Sequence, residues 1–396
     1  MKVILLGDPH LGRSVSIGKV GLGLNLNSRI IDQFNLLDWT LDQAIENNAN
    51  DIIITGDVYE DPKPQHSLMT LFMGWLKKCQ GHNINVHVIM GNHDMLRSGS
   101  VYSSPLDIIT EADLDGIRVY KDTDTIMVDD AAFTIVPFRD RKSFGVSTNA
   151  EAVSILKDSL IYELASIPNI CKKILIGHLA IEGSIPVGDE IDDITNELFC
   201  PLEMFNGYDY VFMGHVHKPQ VLQNKNPHIA HIGSMDISNF GETDHKKYII
   251  IIDTKKNTDF SIEYLPTRPL KKVSIVIPKD IRDTTEYVSK YIEDMQDNWD
   301  KATVKIEVSL APELQSINKS VIEKVLLNKG AFNVSNISET KKSAPIKNIS
   351  NKLNTKMDVS SAIKKYAETY IDNKIRSSFI ELAMNIYKLY KLEAKD

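Results

Sequence analysis

One pattern occurs five times in this chain: a short apolar run ends in residues that can bind a metal ion. The runs are followed by Asp8-Pro9-His10, Gly56-Asp57, Gly91-Asn92-His93-Asp94, Gly177-His178 and Gly214-His215-Val216-His217. Aliphatic and β-branched runs of this length predict buried strands, and a glycine allows a sharp turn at the strand end. Because α/β folds bind ligands at the carboxyl ends of their strands, the pattern predicts an α/β protein with one ligand-lined edge.

The intervening segments predict the rest of the fold. Apolar residues at helical spacing over 30–47 and a second helix over 67–79 separate the first three strands. Further strand-like segments predict a mixed sheet or a two-sheet sandwich flanked by helices; they lie at 117–120, 125–128, 133–136, 229–232, 248–253 and 260–265.

Seven strand-end side chains are candidate ligands for two divalent cations: Asp8, His10, Asp57, Asn92, His178, His215 and His217. A cation pair roughly 3.5–4 Å apart can clamp a phosphate group. Mixed carboxylate, imidazole and amide donors favour Mn²⁺, Fe²⁺ or Zn²⁺ over Ca²⁺, and the absence of thiolates argues against a structural zinc site. The expected metal is Mn²⁺, with Mg²⁺, Fe²⁺ or Zn²⁺ as alternatives. Asp57 is central in the sequence and is the expected bridging ligand.

Two neighbouring side chains are candidate catalytic groups. His93 follows the ligand Asn92, and we expect it to protonate the leaving oxygen or to neutralise developing charge. Asp94 is expected to orient the His93 ring.

These five blocks resemble the pattern of the calcineurin-like metallophosphoesterases: D-x-H, G-D, G-N-H-D, G-H and G-H-x-H. The resemblance implies two metal positions that share Asp57. The first would be held by Asp8, His10, Asp57 and His217, and the second by Asp57, Asn92, His178 and His215.

Within this superfamily the chain is similar to the SbcD-type nuclease subunits of double-strand-break repair complexes, and to their compact viral members. The similarity rests on Asp8-Pro9-His10-Leu11-Gly12, Gly233-Ser234, Ser238-Asn239-Phe240-Gly241-Glu242 and Lys247-Tyr248. It implies a Mn²⁺-dependent exonuclease and endonuclease that acts on double-stranded DNA ends, with an SbcC-like coiled-coil ATPase as partner. One departure is Glu60, which stands where some members carry a histidine and leaves exonuclease polarity open.

The sequence pattern divides the chain into four parts, and the resemblance implies a role for each. Residues 1–268 would form the nuclease domain, and 269–337, with a β-α-β-α-β pattern, would form a small DNA-capping domain. Residues 338–356 have the composition of a linker. Residues 357–396 would form a helical segment that docks the ATPase partner. Homodimerisation is common in the family, and the helices at 31–45 and 67–79 are candidate surfaces.

Composition limits the cellular setting. Three widely spaced cysteines suit a reducing cytosol, and no apolar run approaches the ~20 residues of a membrane span, so we expect a cytoplasmic protein, in the host cytoplasm for a viral member.

A net charge of −8 predicts weak, salt-sensitive DNA binding by the isolated chain. The candidate DNA contacts could equally be solvated surface groups; they are Arg13, Lys19, Lys63, Pro64, Arg139, Arg141 and Lys142.

Two other functions remain open at this point. One is a phosphodiesterase or phosphatase that acts on small nucleotides or on proteins, although about 130 residues beyond the catalytic part argue against a small substrate. The other is a scaffold without catalytic activity, which the presence of every ligand position argues against.

Overall fold

The fold is known from a computed structural model, which describes residues 1–20, 26–98, 101–186, 198–255, 260–341, 359–370 and 376–393. The strands are, in chain order, β1 (Lys2–Leu6), β2 (Ala49–Ile54), β3 (Asn85–Ile89), β4 (Leu96–Ser98), β5 (Val101–Ser103), β6 (Ile117–Tyr120), β7 (Asp124–Val128), β8 (Ala131–Val136), β9 (Lys172–Gly177), β10 (Ala180–Ile181), β11 (Phe199–Cys200), β12 (Tyr210–Met213), β13 (Gln220–Gln223), β14 (His228–His231), β15 (Tyr248–Asp253), β16 (Phe260–Tyr264), β17 (Leu270–Val276), β18 (Thr303–Leu310) and β19 (Asn333–Lys341).

The α-helices are α1 (Ser28–Glu46), α2 (His66–Gly81), α3 (Asp107–Glu111), α4 (Asn149–Ser166), α5 (Thr284–Asp294), α6 (Lys319–Asn328), α7 (Val359–Tyr370) and α8 (Arg376–Glu393). Short 3₁₀ helices lie at Val15–Ile17, Arg141–Phe144 and Leu202–Phe205.

Two six-stranded sheets form the main body. The first has the strand order β16-β15-β1-β2-β3-β6, in which β1, β2, β3 and β6 are parallel and β15 and β16 are antiparallel to their neighbours. The second has the order β13-β14-β12-β9-β8-β7, with parallel central strands and an antiparallel strand at each edge. The predicted two-sheet sandwich flanked by helices is confirmed.

Side chains that point alternately to the two faces of each strand divide the apolar core into layers. In β1, Val3 and Leu5 belong to the apolar cluster between the two sheets, whereas Ile4 and Leu6 belong to the cluster that α1 and α2 cover. Successive side chains of a strand point to opposite faces, so a strand that is apolar throughout is buried on both sides. The parallel strand ends, and the residues that follow them, are thereby fixed between two packed layers.

Helix α4, which covers the outer face of the second sheet, was not predicted from the sequence. Its N-terminus carries a capping box, in which the Thr148 hydroxyl accepts from the Glu151 N–H at 3.2 Å and the Glu151 carboxylate accepts from the Thr148 N–H at 3.1 Å. Ala152, Leu156 and Leu160 follow at four-residue spacing and are buried. The capping box and this spacing were the signals that could have predicted the helix.

A smaller unit follows β16 in the chain, and we call residues 270–341 the C-terminal unit. It contains a parallel sheet of β17, β18 and β19 together with α5 and α6, in the predicted β-α-β-α-β order. It has an apolar cluster of its own, which includes Trp299 and Ile306. Residues 338–341 belong to β19 rather than to the predicted linker, because they pair with β18 as far as Lys341. The rest of that linker lies outside the described residues.

The C-terminal unit is attached to α1 through a charged and aromatic contact. Arg268 donates two hydrogen bonds to the Asp32 carboxylate, at 2.7 and 2.6 Å, and its guanidinium lies 3.8 Å from the centre of the Phe332 ring. Lys19 donates to the Phe332 carbonyl at 2.6 Å. Lys19, a candidate DNA contact, therefore belongs to this attachment.

The last two described helices, α7 and α8, contact each other. The rings of Tyr366 and Phe379 stack with their centres 5.9 Å apart. On α8, Leu382 and Ile386 are 62% and 59% exposed. None of the helices in the described ranges combines the length and apolar character that crossing a membrane requires.

Candidate metal centre

Both sheets contribute strand ends to one pocket. Asp8 and His10 follow β1, Asp57 follows β2 and Asn92 follows β3, all in the first sheet. His178 follows β9, and His215 and His217 follow β12, in the second sheet. The structure thus brings the seven candidate ligands together from the facing edges of the two sheets.

Asp8, His10 and His217 form the first group. Their donor atoms lie within 4.8 Å of one another, and all three side chains are buried. The Nε2 atoms of His10 and His217 are 2.9 Å apart. Two nitrogen lone pairs can face each other at this distance only with a proton or a cation between them, so the arrangement fits a divalent ion.

The second group consists of Asp57, Asn92, His178 and His215. The Asn92 Oδ1 atom lies 2.8 Å from His178 Nε2 and 3.0 Å from His215 Nδ1. The donor atoms of Asp57, His178 and His215 also lie within 4.8 Å of one another. One carboxylate, one amide oxygen and two imidazoles are ligands that Mn²⁺, Fe²⁺ and Zn²⁺ accept.

Asp57 lies between the two groups. Its Oδ2 atom is 3.5 Å from His10 Nε2 and 3.1 Å from His178 Nε2, and its Oδ1 atom accepts a 2.8 Å hydrogen bond from the His93 N–H. Burial acts to raise the pKa of Asp57, but His178 and His93 outweigh it and hold the pKa well below its usual value. Asp57 Oδ2 thus lies within 3.5 Å of a nitrogen from each of the two groups.

The buried carboxylates give the pocket a negative field. Burial acts to lower the pKa of His178, but Asp57 and Asp8 outweigh it and raise the pKa to about 10. Burial and the nearby His217 hold the pKa of His10 well below its usual value, so its imidazole is neutral. A field that attracts positive charge, beside an imidazole with a free lone pair, fits a bound cation.

Hydrogen bonds orient the ligands. The Thr55 hydroxyl donates to Asp8 Oδ1 at 2.9 Å, and the His215 N–H donates to Asp8 Oδ2 at 2.6 Å. His178 Nδ1 donates to the Thr55 carbonyl at 2.9 Å. Because Nδ1 is held by this hydrogen bond, Nε2 is the nitrogen that faces the pocket, where a metal ion would replace its proton.

Glu242 and Lys247 form a buried pair that contacts His217. The Lys247 ammonium donates to the His217 carbonyl, to the Ser234 hydroxyl and to Glu242 Oε2, each at 2.8 Å. Glu242 Oε1 lies 3.9 Å from His217 Nδ1. Burial acts to raise the pKa of Glu242, but His217 and Lys247 lower it to about 2. No contact of this pair was predicted from the sequence.

The expected contact between Asp94 and the His93 ring is wrong. His93 Nδ1 donates to the Glu60 carbonyl at 2.8 Å. The Asp94 carboxylate instead accepts from the backbone N–H groups of Val58, Tyr59 and Gly91, at 3.1–3.2 Å. Burial and Asp57 raise the pKa of Asp94 to about 7. The turn after His93 directs Asp94 into the protein, where it fixes the loop that carries Asp57.

Glycines precede the ligands because the ligands of other strands need the space. A Cβ atom on Gly91 would lie 2.0 Å from Asp57 Oδ1, and one on Gly214 would lie 2.3 Å from Asp8 Oδ1. Neither distance is possible between non-bonded atoms. The repeated glycine of the sequence pattern is thus a condition for the close packing of the pocket.

Comparisons with known proteins agree with this geometry. The family model described as "Calcineurin-like phosphoesterase" matches residues 1–219. The SbcD subunit of the nuclease SbcCD from Staphylococcus epidermidis is 26% identical over 295 residues, which are 70% of this chain and 72% of that protein. The protein of the same name from Escherichia coli K12 is 22% identical and covers 81% of each chain. "DNA double-strand break repair protein Mre11" of Methanocaldococcus jannaschii is 26% identical over 78% of this chain and 73% of its own length.

Proposed function

The chain belongs to the calcineurin-like phosphoesterase family and is a metal-dependent hydrolase, and on that premise we propose that it cleaves the phosphodiester bonds of double-stranded DNA. The substrate is proposed from the similar proteins, whose names describe a nuclease subunit and a double-strand break repair protein. These similarities extend over 70–81% of the chain, beyond the residues that the family model matches.

The observation that carries the proposal is the position of Asp57 Oδ2, which lies 3.5 Å from His10 Nε2 and 3.1 Å from His178 Nε2. One carboxylate oxygen is thereby shared by two groups of ligands. We assign Asp8, His10, Asp57 and His217 to one ion, and Asp57, Asn92, His178 and His215 to the other, with Mn²⁺ as the expected metal. When bound, the ions would neutralise the phosphate charge and lower the pKa of a water molecule.

His93 is the proposed general acid. Burial acts to lower the pKa of His93, but Asp57 and the Glu60 carbonyl outweigh it and raise the pKa above its usual value. Because Nδ1 donates to the Glu60 carbonyl, Nε2 is the atom that would give a proton to the leaving oxygen. Asp94 acts indirectly in this proposal, by holding the backbone of the Asp57 loop.

The partners follow from the same similarity. An SbcC-like ATPase would bind α7 and α8, where Leu382 and Ile386 present an exposed apolar surface. The C-terminal unit, which corresponds to the predicted 269–337 domain and extends to Lys341, would cover the DNA. Since the chain carries a net charge of −8, the partner would supply much of the DNA affinity.

A second copy of the chain is the proposed occupant of a groove on α2. The groove has a volume of about 500 Å³ and is lined by His66, Met69, Thr70, Met73, Gly74, Lys77 and Ile108. Met69 and Met73 stand one helical turn apart and give it an apolar floor. Light scattering of the purified protein tests the dimer, and a monomer at micromolar concentration would contradict it.

The experiment that tests the function is degradation of linear duplex DNA in Mn²⁺, by the wild type and by His93→Ala, each alone and with the ATPase partner. We expect His93→Ala to lose activity by about 10²–10⁴-fold, as for removal of a general acid, while it retains its bound metal. The control is His82→Ala, an exposed position just after the end of α2. If the wild type cleaves only small nucleotides or phosphopeptides, the DNA substrate is wrong. If it cleaves nothing, the scaffold alternative is favoured.

A further inference from the structure

Arg13 stands at the edge of the metal pocket. Its Nη1 atom is 3.5 Å from His217 Nε2 and 3.5 Å from Glu60 Oε2. The side chain is 13% exposed, so the guanidinium is neither part of the core nor free in solvent. It lies beside a candidate ligand atom of the first ion position.

The backbone that carries Arg13 is held in place. Gln33, which is buried, accepts from the Gly12 N–H at 3.0 Å and donates to the carbonyls of His10 and Arg13, at 3.0 and 3.4 Å. The Ser14 hydroxyl donates to the Ser238 carbonyl. Arg13 therefore keeps a fixed distance from the pocket, as a group that binds substrate requires.

Glu60 fixes the direction of the side chain. Its Oε2 atom is 3.5 Å from Arg13 Nη1 and 2.8 Å from His10 Nδ1. One carboxylate thus connects the arginine to a candidate metal ligand. Both side-chain contacts of Arg13 involve Nη1, so among the described residues its Nε and Nη2 donors have no protein partner.

Two other arginines have structural roles, because their guanidinium groups bind acceptors within the protein. Arg29 is 1% exposed and donates to Asp32, to Asp236 and to the Ile237 carbonyl, at 3.1, 2.5 and 2.8 Å. Arg139 donates to Asp122 and to two backbone carbonyls. Arg13 differs from both, because two of its donor nitrogens remain available at the rim of the pocket.

We propose that Arg13 is a substrate-binding residue whose free guanidinium donors bind a non-bridging oxygen of the phosphodiester beside the first ion position. A planar guanidinium forms paired hydrogen bonds to phosphate oxygens, which a lysine ammonium does not reproduce. The inference rests on the proposed phosphodiesterase activity and adds a group that determines affinity for the phosphate.

The test compares the wild type with Arg13→Gln, Arg13→Lys and the control Arg118→Gln. Arg118 is 60% exposed and pairs with Asp124 at 2.7 Å, at the amino-terminal half of β6, so its substitution removes the same charge away from the pocket. The substrate is bis(p-nitrophenyl) phosphate in Mn²⁺. A second measurement is the affinity of inorganic phosphate for the Mn²⁺-loaded protein by calorimetry.

We expect Arg13→Gln to raise both KM and the phosphate Kd about tenfold, the effect of losing one charge-assisted hydrogen bond, with kcat changed less than about threefold. Arg13→Lys should recover part of the affinity, and the content of bound Mn²⁺ should not change. Equal phosphate Kd values for wild type and Arg13→Gln would overturn the inference, as would equal effects of Arg13→Gln and Arg118→Gln. If the wild type hydrolyses no phosphodiester but Arg13→Gln still weakens phosphate binding, the inference stands and the proposed function fails.

Discussion

The Lys247 ammonium lies 2.8 Å from Glu242 Oε2, and neither side chain is exposed to solvent. A buried ion pair of this kind is costly to desolvate and is retained only where further hydrogen bonds complete it. Here the ammonium also donates to the His217 carbonyl and to the Ser234 hydroxyl. The pair therefore connects the interior of the protein to one candidate metal ligand.

Substitution of either member should be strongly destabilising. Lys247→Met leaves the Glu242 carboxylate buried without its cation, and we expect the free energy of unfolding to fall by about 3–5 kcal/mol. The double variant Glu242→Gln/Lys247→Met removes both charges and should recover part of that loss. Urea denaturation of the metal-free proteins measures both values. A double variant that is less stable than Lys247→Met would contradict the charge argument.

The same pair should make stability depend on pH in the acid range. The pKa of Glu242 is lowered from 4.5 to about 2 in the folded protein. A lowered pKa means that the ionised form stabilises the fold, so this contribution is present above about pH 4.5 and is lost as the pH falls through 2. In metal-free urea titrations, the stability of Glu242→Gln should fall less steeply over this range than that of the wild type. Parallel curves would show that another group is responsible.

His178→Gln should separate the two proposed ion positions. His178 Nε2 faces Asn92 Oδ1 and Asp57 Oδ2, within the second group of ligands. We expect its loss to lower the bound Mn²⁺ from two ions to one per chain, because one group of ligands loses an imidazole and the other keeps its own. Elemental analysis after dialysis measures this ratio, with the exposed His82→Gln as the control. Two retained ions would mean that the proposed ligand groups are wrong.

Gly91→Ala tests the close packing of the strand ends. The new methyl group would meet Asp57 Oδ1 and the Asp57 nitrogen at 2.0 and 2.3 Å, so Asp57 must move and metal binding should be lost. Gly81→Ala is the matched control, because a methyl group there, at the end of helix α2, meets no atom within 4 Å. That substitution should raise stability by about 0.4–1 kcal/mol. Normal metal content in Gly91→Ala would show that the loop adapts.

Asp32→Ala should loosen the C-terminal unit. It removes the carboxylate that accepts two hydrogen bonds from Arg268 and one from the buried Arg29, and each bond to a charged group that is lost costs about 1–3 kcal/mol. Hydrogen exchange should become faster in residues 266–272 and around Phe332. Asp38→Ala on the same helix removes a partner of the exposed Lys78 and should change exchange little. Equal protection from hydrogen exchange in both variants would mean that other contacts stabilise the attachment.

The proximity of the seven candidate ligands could be predicted because each follows a strand in the sequence, and strand order brings such ends to a common edge. Helices α1 and α2 were predicted on similar local grounds, whereas Asp57 was chosen as the expected bridge for its central place in the sequence. The C-terminal unit was predicted from periodicity alone. In these cases the signal lies within a few residues of the element that it predicts.

The remaining features depend on contacts between distant residues. Lys247 and His217 are thirty positions apart, and no local pattern shows that one donates to the carbonyl of the other. Adjacency suggested that Asp94 would reach the ring of His93, but the turn between them directs the two side chains apart. Lys19 and Arg139 looked available for DNA, yet Lys19 binds the Phe332 carbonyl and Arg139 binds Asp122. Charge in a sequence does not show which positive groups already have partners.

The central place of β1 in the first sheet has a consequence for synthesis of the chain. β1 pairs on one side with β2 and on the other with β15, which begins at Tyr248. Asp8 is also bonded to the His215 N–H and, through its carbonyl, to the Met235 N–H. During translation, Asp8 and His10 leave the ribosome long before these partners do. A nascent or prematurely terminated chain that lacks them has only half of the pocket, so the full set of candidate ligands is assembled only after the whole two-sheet body has been made.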